Sequence, residues 1–141
     1  MSDLHSSQLP RFAPLPKTVK GFTRVDAKAA RMAEDARAER ECYAAVDTRD
    51  GLRCRVSGVQ LTRGASLTKK AHRHHMEKRS QGGQHDTRNV VTVSPKVHDD
   101  IHVRGILRLS GDADAKDERG RLAGVKVEEL TEAGWAVTRW V

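Results

Sequence analysis

Aromatic side chains are nearly missing from this chain, which has two Trp, one Tyr and two Phe among its 141 residues. Hydrophobic residues make up 37% and charged residues 32%, a lean balance that excludes a core built around large rings and fits one domain of ordinary size. A core this small is commonly supplemented by a bound metal, an oligomer contact or a partner. Cysteine is scarce too. Cys42 and Cys54 are the only two, which excludes a disulfide framework and fits free thiols in a reducing compartment. No apolar run approaches a membrane span, and Met1 to Pro16 has no apolar core behind a basic start, so neither a spanning helix nor a signal peptide is expected. The expectation is a cytoplasmic protein with no membrane partner.

Positive charge, by contrast, is plentiful: the net charge is +7. From Arg53 to Arg104 there are eleven Lys/Arg against four Asp/Glu, so the whole excess of seven lies there while the remainder holds fifteen of each sign. The same block contains six of the seven histidines. These cations are interleaved with Gly, Ser, Gln and Thr rather than set along an apolar helix, which favours nucleic acid over a membrane surface as the polyanionic partner.

Pro10, Pro14 and Pro16 lie in a segment that resists helix and strand alike, so residues 1–21 are expected to be a flexible arm before a single domain over 22–141. Asp26 to Val46 is rich in Ala, Glu and Arg without Gly or Pro, which predicts a helix with Asp26 as N-cap and Met32, Ala36, Tyr43 and Val46 along its buried stripe. Alternation predicts a strand at Leu52–Val56, and Lys69–Met76 is expected to form the next one, followed by a long polar loop. Val90–Val93 is a β-branched run typical of a strand. Ser94-Pro95 is an N-cap followed by the favoured first position of a helix, which Gly105 would end. Alternation at Leu107/Leu109, Val125/Val127 and Trp135/Val137 predicts three more strands, with a mobile acidic loop over Gly111–Gly120 and a tight turn at Glu132–Gly134. The expected class is α+β.

On the predicted second helix His98 and His102 stand four apart, so both imidazoles project from one face and are able to share one metal ion. Two surface histidines on a basic protein would look the same. His74 and His75 lie on the preceding strand, where neighbouring side chains point in opposite directions and cannot do one job. If His74 turns toward His98 and His102, three neutral imidazoles make an open site of the catalytic kind, and His75 is left to act as a base. Asn89, just before the Val90 strand, would then approach His75 if the two strands pair. His72 shares a strand face with His74 and is able to compete for the ion.

The run His74-His75, Arg79-Ser80-Gln81-Gly82-Gly83, Asn89-Val90-Val91, then His98 and His102 resembles the HNH nucleases, which are built on the ββα-metal or His-Me finger fold. The likeness covers about residues 71–103 and rests on residue types and gaps in four consecutive places. It implies a ββα-metal core over about 69–105, flanked by the N-terminal helix and the C-terminal strands. By the same resemblance His74, His98 and His102 are metal ligands, His75 is the general base and Asn89 orients it. The arrangement of three histidines is similar to the DNase-toxin branch, and the Arg-Ser-Gln-Gly-Gly loop to phage and prophage members. Many members carry two Cys-x-x-Cys pairs around a structural zinc; here Cys54 is followed by Ser57, so that zinc is not expected.

The resulting expectation is a metal-dependent endonuclease acting on DNA, double-stranded before single-stranded and with RNA as a further option. One divalent ion, Mg, Mn, Ni or Zn, would be its cofactor. Arg79 would steady the phosphate in the transition state, and Lys69, Lys70, Arg73, Lys78, Arg88 and Arg104 would hold the backbone. A homodimer or a phage packaging partner is compatible with this reading. The alternative is a non-catalytic nucleic-acid-binding module that keeps the HNH fold.

Overall fold

A computed structural model describes residues 24–64 and 66–141; the proline-containing arm expected over 1–21 lies outside the described residues. The chain divides into two compact units, Met1–Asp35 and Ala36–Val141. Of the first, only Arg24–Asp35 is described, as the opening turns of helix α1 (Arg24–Asp50). The class is α+β: α1, strand β1 (His72–His75), a 3₁₀ turn at Arg79–Gln81, β2 (Val90–Val93), helix α2 (Pro95–His102), then β3 (Leu107–Gly111), β4 (Val125–Thr131) and β5 (Gly134–Trp140).

Helix α1 starts two residues before Asp26, which therefore sits in the first turn instead of capping it; its charge still meets the positive end of the helix dipole. The helix also outruns its expected end, reaching Asp50 before Gly51, at φ 61°, turns the chain. Its buried side chains in the second unit are Cys42, Val46 and Asp50, with Tyr43 packed beside them, whereas Met32 is exposed.

Two antiparallel sheets follow. β1 and β2 form a pair with His72 opposite Val93 and His75 opposite Val90, and β3, β4 and β5 form a meander in that order. All four residues of β2 are buried, because the strand lies between two apolar clusters. Val90 joins Cys42 and Val46 of α1, while Val91 and Val93 join Cys54, Leu61, Val97, Leu107, Leu109, Val125 and Val127. Valine is the workhorse of this core, as a chain so poor in aromatics requires. Trp135 and Trp140 lie on the sheet surface, 38% and 57% exposed.

Three expectations are corrected. Leu52–Val56 is not a strand: Arg53 makes an isolated bridge to Gln60, and Gly58 N–H donates to Cys54 O to close a turn. Cys54 and Val56 are nevertheless buried, which produces the alternation that suggested a strand. The strand expected over Lys69–Met76 is only His72–His75, because Lys69 and Ala71 hydrogen-bond with Thr62 instead. The acidic segment after β3 is fixed rather than mobile, since Ala113 is fully buried, its N–H donates to Arg88 O, and Asp114 pairs with Arg49.

One buried carboxylate ties these parts together. The side chain of Asp50 has no solvent exposure. Arg49 Nε donates to its Oδ1 at 2.7 Å and Arg49 Nη2 to its Oδ2 at 3.0 Å, while Arg55 Nη1 and the Thr92 backbone N–H approach at 3.3 and 3.0 Å. Arg49 also donates to the carbonyls of Thr87 and Val90, and Arg55 to those of Ala113 and Val141. The end of α1, the loop before β2, β2 itself and the C-terminus thus share one charge cluster. Removing the carboxylate leaves buried Arg55 without its carboxylate partner and Arg49 with Asp114 alone, so Asp50→Ala should cost about 3–5 kcal/mol in urea denaturation. Arg37→Ala, which loses only an exposed pair with Glu41, should cost less than about 0.5 kcal/mol. Equal effects would refute a central role for Asp50.

Candidate metal and catalytic site

Strand alternation sorts the histidines. In the β1–β2 register His72 and His74 stand opposite Val93 and Val91, on the side where α2 packs; Arg73 and His75 stand opposite Thr92 and Val90, on the side of α1. Helix α2 then supplies the rest of the first group. Ser94 Oγ accepts from Val97 N–H, and Pro95 holds the first helical position. Val97 is buried in the core, and this sets His98 and His102 on the face toward β1.

Four imidazoles form a row there. His72 stacks on His98 at 4.6 Å between ring centroids, His98 lies 4.5 Å from His102, and His102 meets His74 edge-on at 5.1 Å. His102 Nε2 and His74 Nδ1 are 3.2 Å apart. Two nitrogens bound to one tetrahedral ion at its usual bond length are separated by roughly 3.3 Å, so this pair has the spacing of two ligands. His74 is buried, and burial, followed by the charges of His102 and His98, pushes its pKa down to about 4. Its neutral, metal-binding form therefore prevails at neutral pH. Burial also lowers the pKa of His72 and His98. His98 turns its ring face to its neighbours, and among the described residues no three His, Cys, Asp or Glu side chains converge as a finished cage. The imidazoles are donors of the kind a divalent ion takes, and His72, stacked on His98, belongs to the same row.

On the α1 side His75 faces a different group. His75 Nε2 lies 3.1 Å from His85 Nδ1, Tyr43 packs edge-on to His85 and tilted against His75, and His85 Nε2 lies 3.9 Å from a carboxylate oxygen of Glu39. Burial lowers the pKa of His75, the neighbouring His85 and Arg79 lower it further, and Glu39 opposes them. Arg79, in the 3₁₀ turn, donates to Gly83 O at 3.3 Å. The loop is held by its glycines: Gly82 has φ 93°, and a Cβ on Gly83 would overlap the Glu77 carbonyl.

The Asn89 side chain binds the backbone of the loop. Its Oδ1 accepts from Glu77 N–H at 2.7 Å, and its amide donates to the carbonyls of Glu77 and Gln84. It staples the loop, reaching His75 only through the chain, since Met76 N–H donates to Asn89 O. Three of the cations expected to contact phosphate each stand beside a carboxylate. Arg73 forks onto Asp47 of α1, Arg88 onto Asp86, and Arg104 pairs with Asp100. Lys69, Lys70 and Lys78 are exposed, and Lys78 shares a cleft of about 250 Å³ with His74, Arg108 and Trp135. Sequence reasoning missed His85, Glu39 and Tyr43. His85 lies four residues before Asn89 in a polar loop, but nothing local says that α1 covers it.

No protein-family model, curated protein or solved structure matches this chain.

Because His74 resists protonation in the folded state, the unfolded chain binds more protons between its ordinary pKa near 6.5 and about 4. The stability contributed by neutral His74 is thus complete above pH 6.5 and lost as pH falls toward 4. Chelator-treated protein should lose on the order of 3 kcal/mol through this group across that window. A His74→Asn variant should show a flatter urea-denaturation profile; parallel profiles would refute the assignment.

Proposed function

We propose that this chain is a metal-dependent endonuclease of the HNH type that hydrolyses phosphodiester bonds of DNA, with β1, β2 and α2 as its ββα-metal core. The observation that carries the reading is the split of adjacent histidines. His74 joins the imidazole row of α2, and His75, the next residue, lies among a separate set of polar groups beside Arg79. A site that only stored a metal for stability would need ligands and no second, differently housed imidazole.

His74, His98 and His102 would hold the ion, which supplies Lewis acidity toward the phosphate and the leaving oxygen; imidazole accepts Zn, Ni or Mn, and an open site also takes Mg. The chain's own residues do the rest. His75, neutral at physiological pH, takes a proton from the water whose oxygen attacks phosphorus. The bridging P–O bond then breaks, and the departing oxygen is protonated from solvent. Arg79, whose Nη1 donates to Gly83 O, would offset the charge that accumulates on the non-bridging oxygens. Lys69, Lys70 and Lys78 would follow the phosphodiester backbone without reading sequence.

Supercoiled plasmid incubated with chelator, or with Mg, Mn, Ni or Zn added back, tests the reading. Cutting should require a divalent ion. His75→Ala should lower the cleavage rate by about 10²- to 10⁴-fold while DNA affinity and metal binding stay unchanged, and His98→Ala should weaken metal binding by calorimetry. Wild-type protein that binds DNA with every ion and cuts none would replace the nuclease with a nucleic-acid-binding module of the same fold.

A further inference from the structure

The surroundings of His75 raise a question that the nuclease reading leaves open: which ring nitrogen takes the proton, and what holds the ring. Asn89 is committed to backbone groups at Glu77 and Gln84. The close polar neighbour of His75 is His85, with Nδ1 at 3.1 Å from His75 Nε2. The His85 side chain is 6% exposed, and its far nitrogen, Nε2, lies 3.9 Å from the Glu39 carboxylate. Tyr43 packs on both rings, with centroids at 6.2 and 6.3 Å, and limits their rotation. All four residues belong to the unit Ala36–Val141.

Hydrogen-bond capacity then dictates the tautomers. A neutral imidazole carries one N–H and one lone pair. The negative charge of Glu39 favours the proton of His85 on the nitrogen nearer to it, Nε2, which makes Nδ1 the acceptor. Nδ1 can accept from His75 only if His75 carries its own proton on Nε2. The lone pair of His75 is thereby set on Nδ1, the nitrogen pointing away from this group. We infer that His85 and Glu39 are positioning residues, a chain from Glu39 through His85 that fixes the tautomer and orientation of His75 and presents Nδ1 as the atom that takes the proton. This inference rests on the nuclease reading for its catalytic consequence, but the tautomer itself does not depend on activity.

The chain also has an electrostatic consequence. When His75 becomes an imidazolium, its Nε2–H bond to His85 strengthens, and His85 in turn leans on the Glu39 carboxylate. The charge created at the base lies one imidazole away from the Glu39 carboxylate, which is 3.9 Å from His85 Nε2 and 45% exposed, with no net proton movement beyond His75 required. Partners of this kind, one step removed from the reacting atoms, typically affect rate by 10- to 100-fold.

Two measurements on the full chain test this. In long-range proton–nitrogen NMR of the wild type at neutral pH, His75 should show a protonated Nε2 and an unprotonated Nδ1, and His85→Ala should return His75 to a mixture of tautomers. On a DNA duplex, His85→Ala should lower kcat roughly 10- to 100-fold with little change in KM. His85→Asn, whose side-chain amide reaches the place of Nδ1, should restore most of the loss, and Glu39→Gln should have a smaller effect of the same kind. A wild-type His75 protonated on Nδ1 overturns the inference without need of any variant. An active wild type that is indifferent to His85→Ala overturns the positioning role and leaves the nuclease standing, whereas a wild type that cuts nothing overturns both the nuclease and the catalytic role of the chain.

Discussion

A carboxylate that never meets solvent organises this molecule. Asp50, at the last turn of α1, accepts from Arg49, Arg55 and the Thr92 N–H. Through those arginines it reaches the loop before β2, the segment after β3 and the C-terminal residue. Burying three charged groups is costly unless every one is hydrogen-bonded, and here the geometry satisfies them with main-chain carbonyls from four separate stretches. The cluster therefore accepts only one arrangement of those stretches. That constraint matters because the apolar core is made mainly of valine, alanine and leucine, side chains that exclude water well but interlock less distinctively than large rings.

With β2 fixed against α1, the pairing of β1 onto β2 decides the chemistry available on either side. A slip of one residue would exchange every side chain between the faces, sending His74 toward Tyr43 and His75 toward α2. The observed register is held by the apolar contacts of β2 on both faces and by Arg73, which forks onto Asp47 of α1. Arg73 is thus part of what keeps His75 on the α1 side.

A net excess of cations over residues 53–104 says that a polyanion would be attracted, but it does not say which cations meet it. Arg73, Arg88 and Arg104 each sit beside a carboxylate close in space, and two of those carboxylates, Asp86 and Asp100, are also near their own arginines in sequence. Pairs at i, i−2 and i, i−4 were open to view in the sequence; the Arg73–Asp47 pair, 26 residues apart, was not. Lys69, Lys70 and Lys78 are exposed.

By itself the sequence determined the class of elements and most of their places. The β-branched run of β2, the Ser94-Pro95 start of α2, the alternation of β3 to β5 and the helical composition of α1 are local signals, written in propensity, capping and period. It also determined that His98 and His102 share a helix face and that His74 and His75 oppose each other, since both follow from the pitch of the backbone. Only the tertiary structure decided what each face meets. That His102 lies against His74, that His72 stacks on His98, that Asn89 braces a loop and that His85 with Glu39 stands beside His75 all depend on how α1 and α2 pack on opposite sides of one strand pair. Glu39 and His75 are 36 residues apart, and no periodicity reaches that far. Their meeting is a product of packing around Val90 and Asp50, where side-chain fit and buried charge, rather than local preference, select the neighbour.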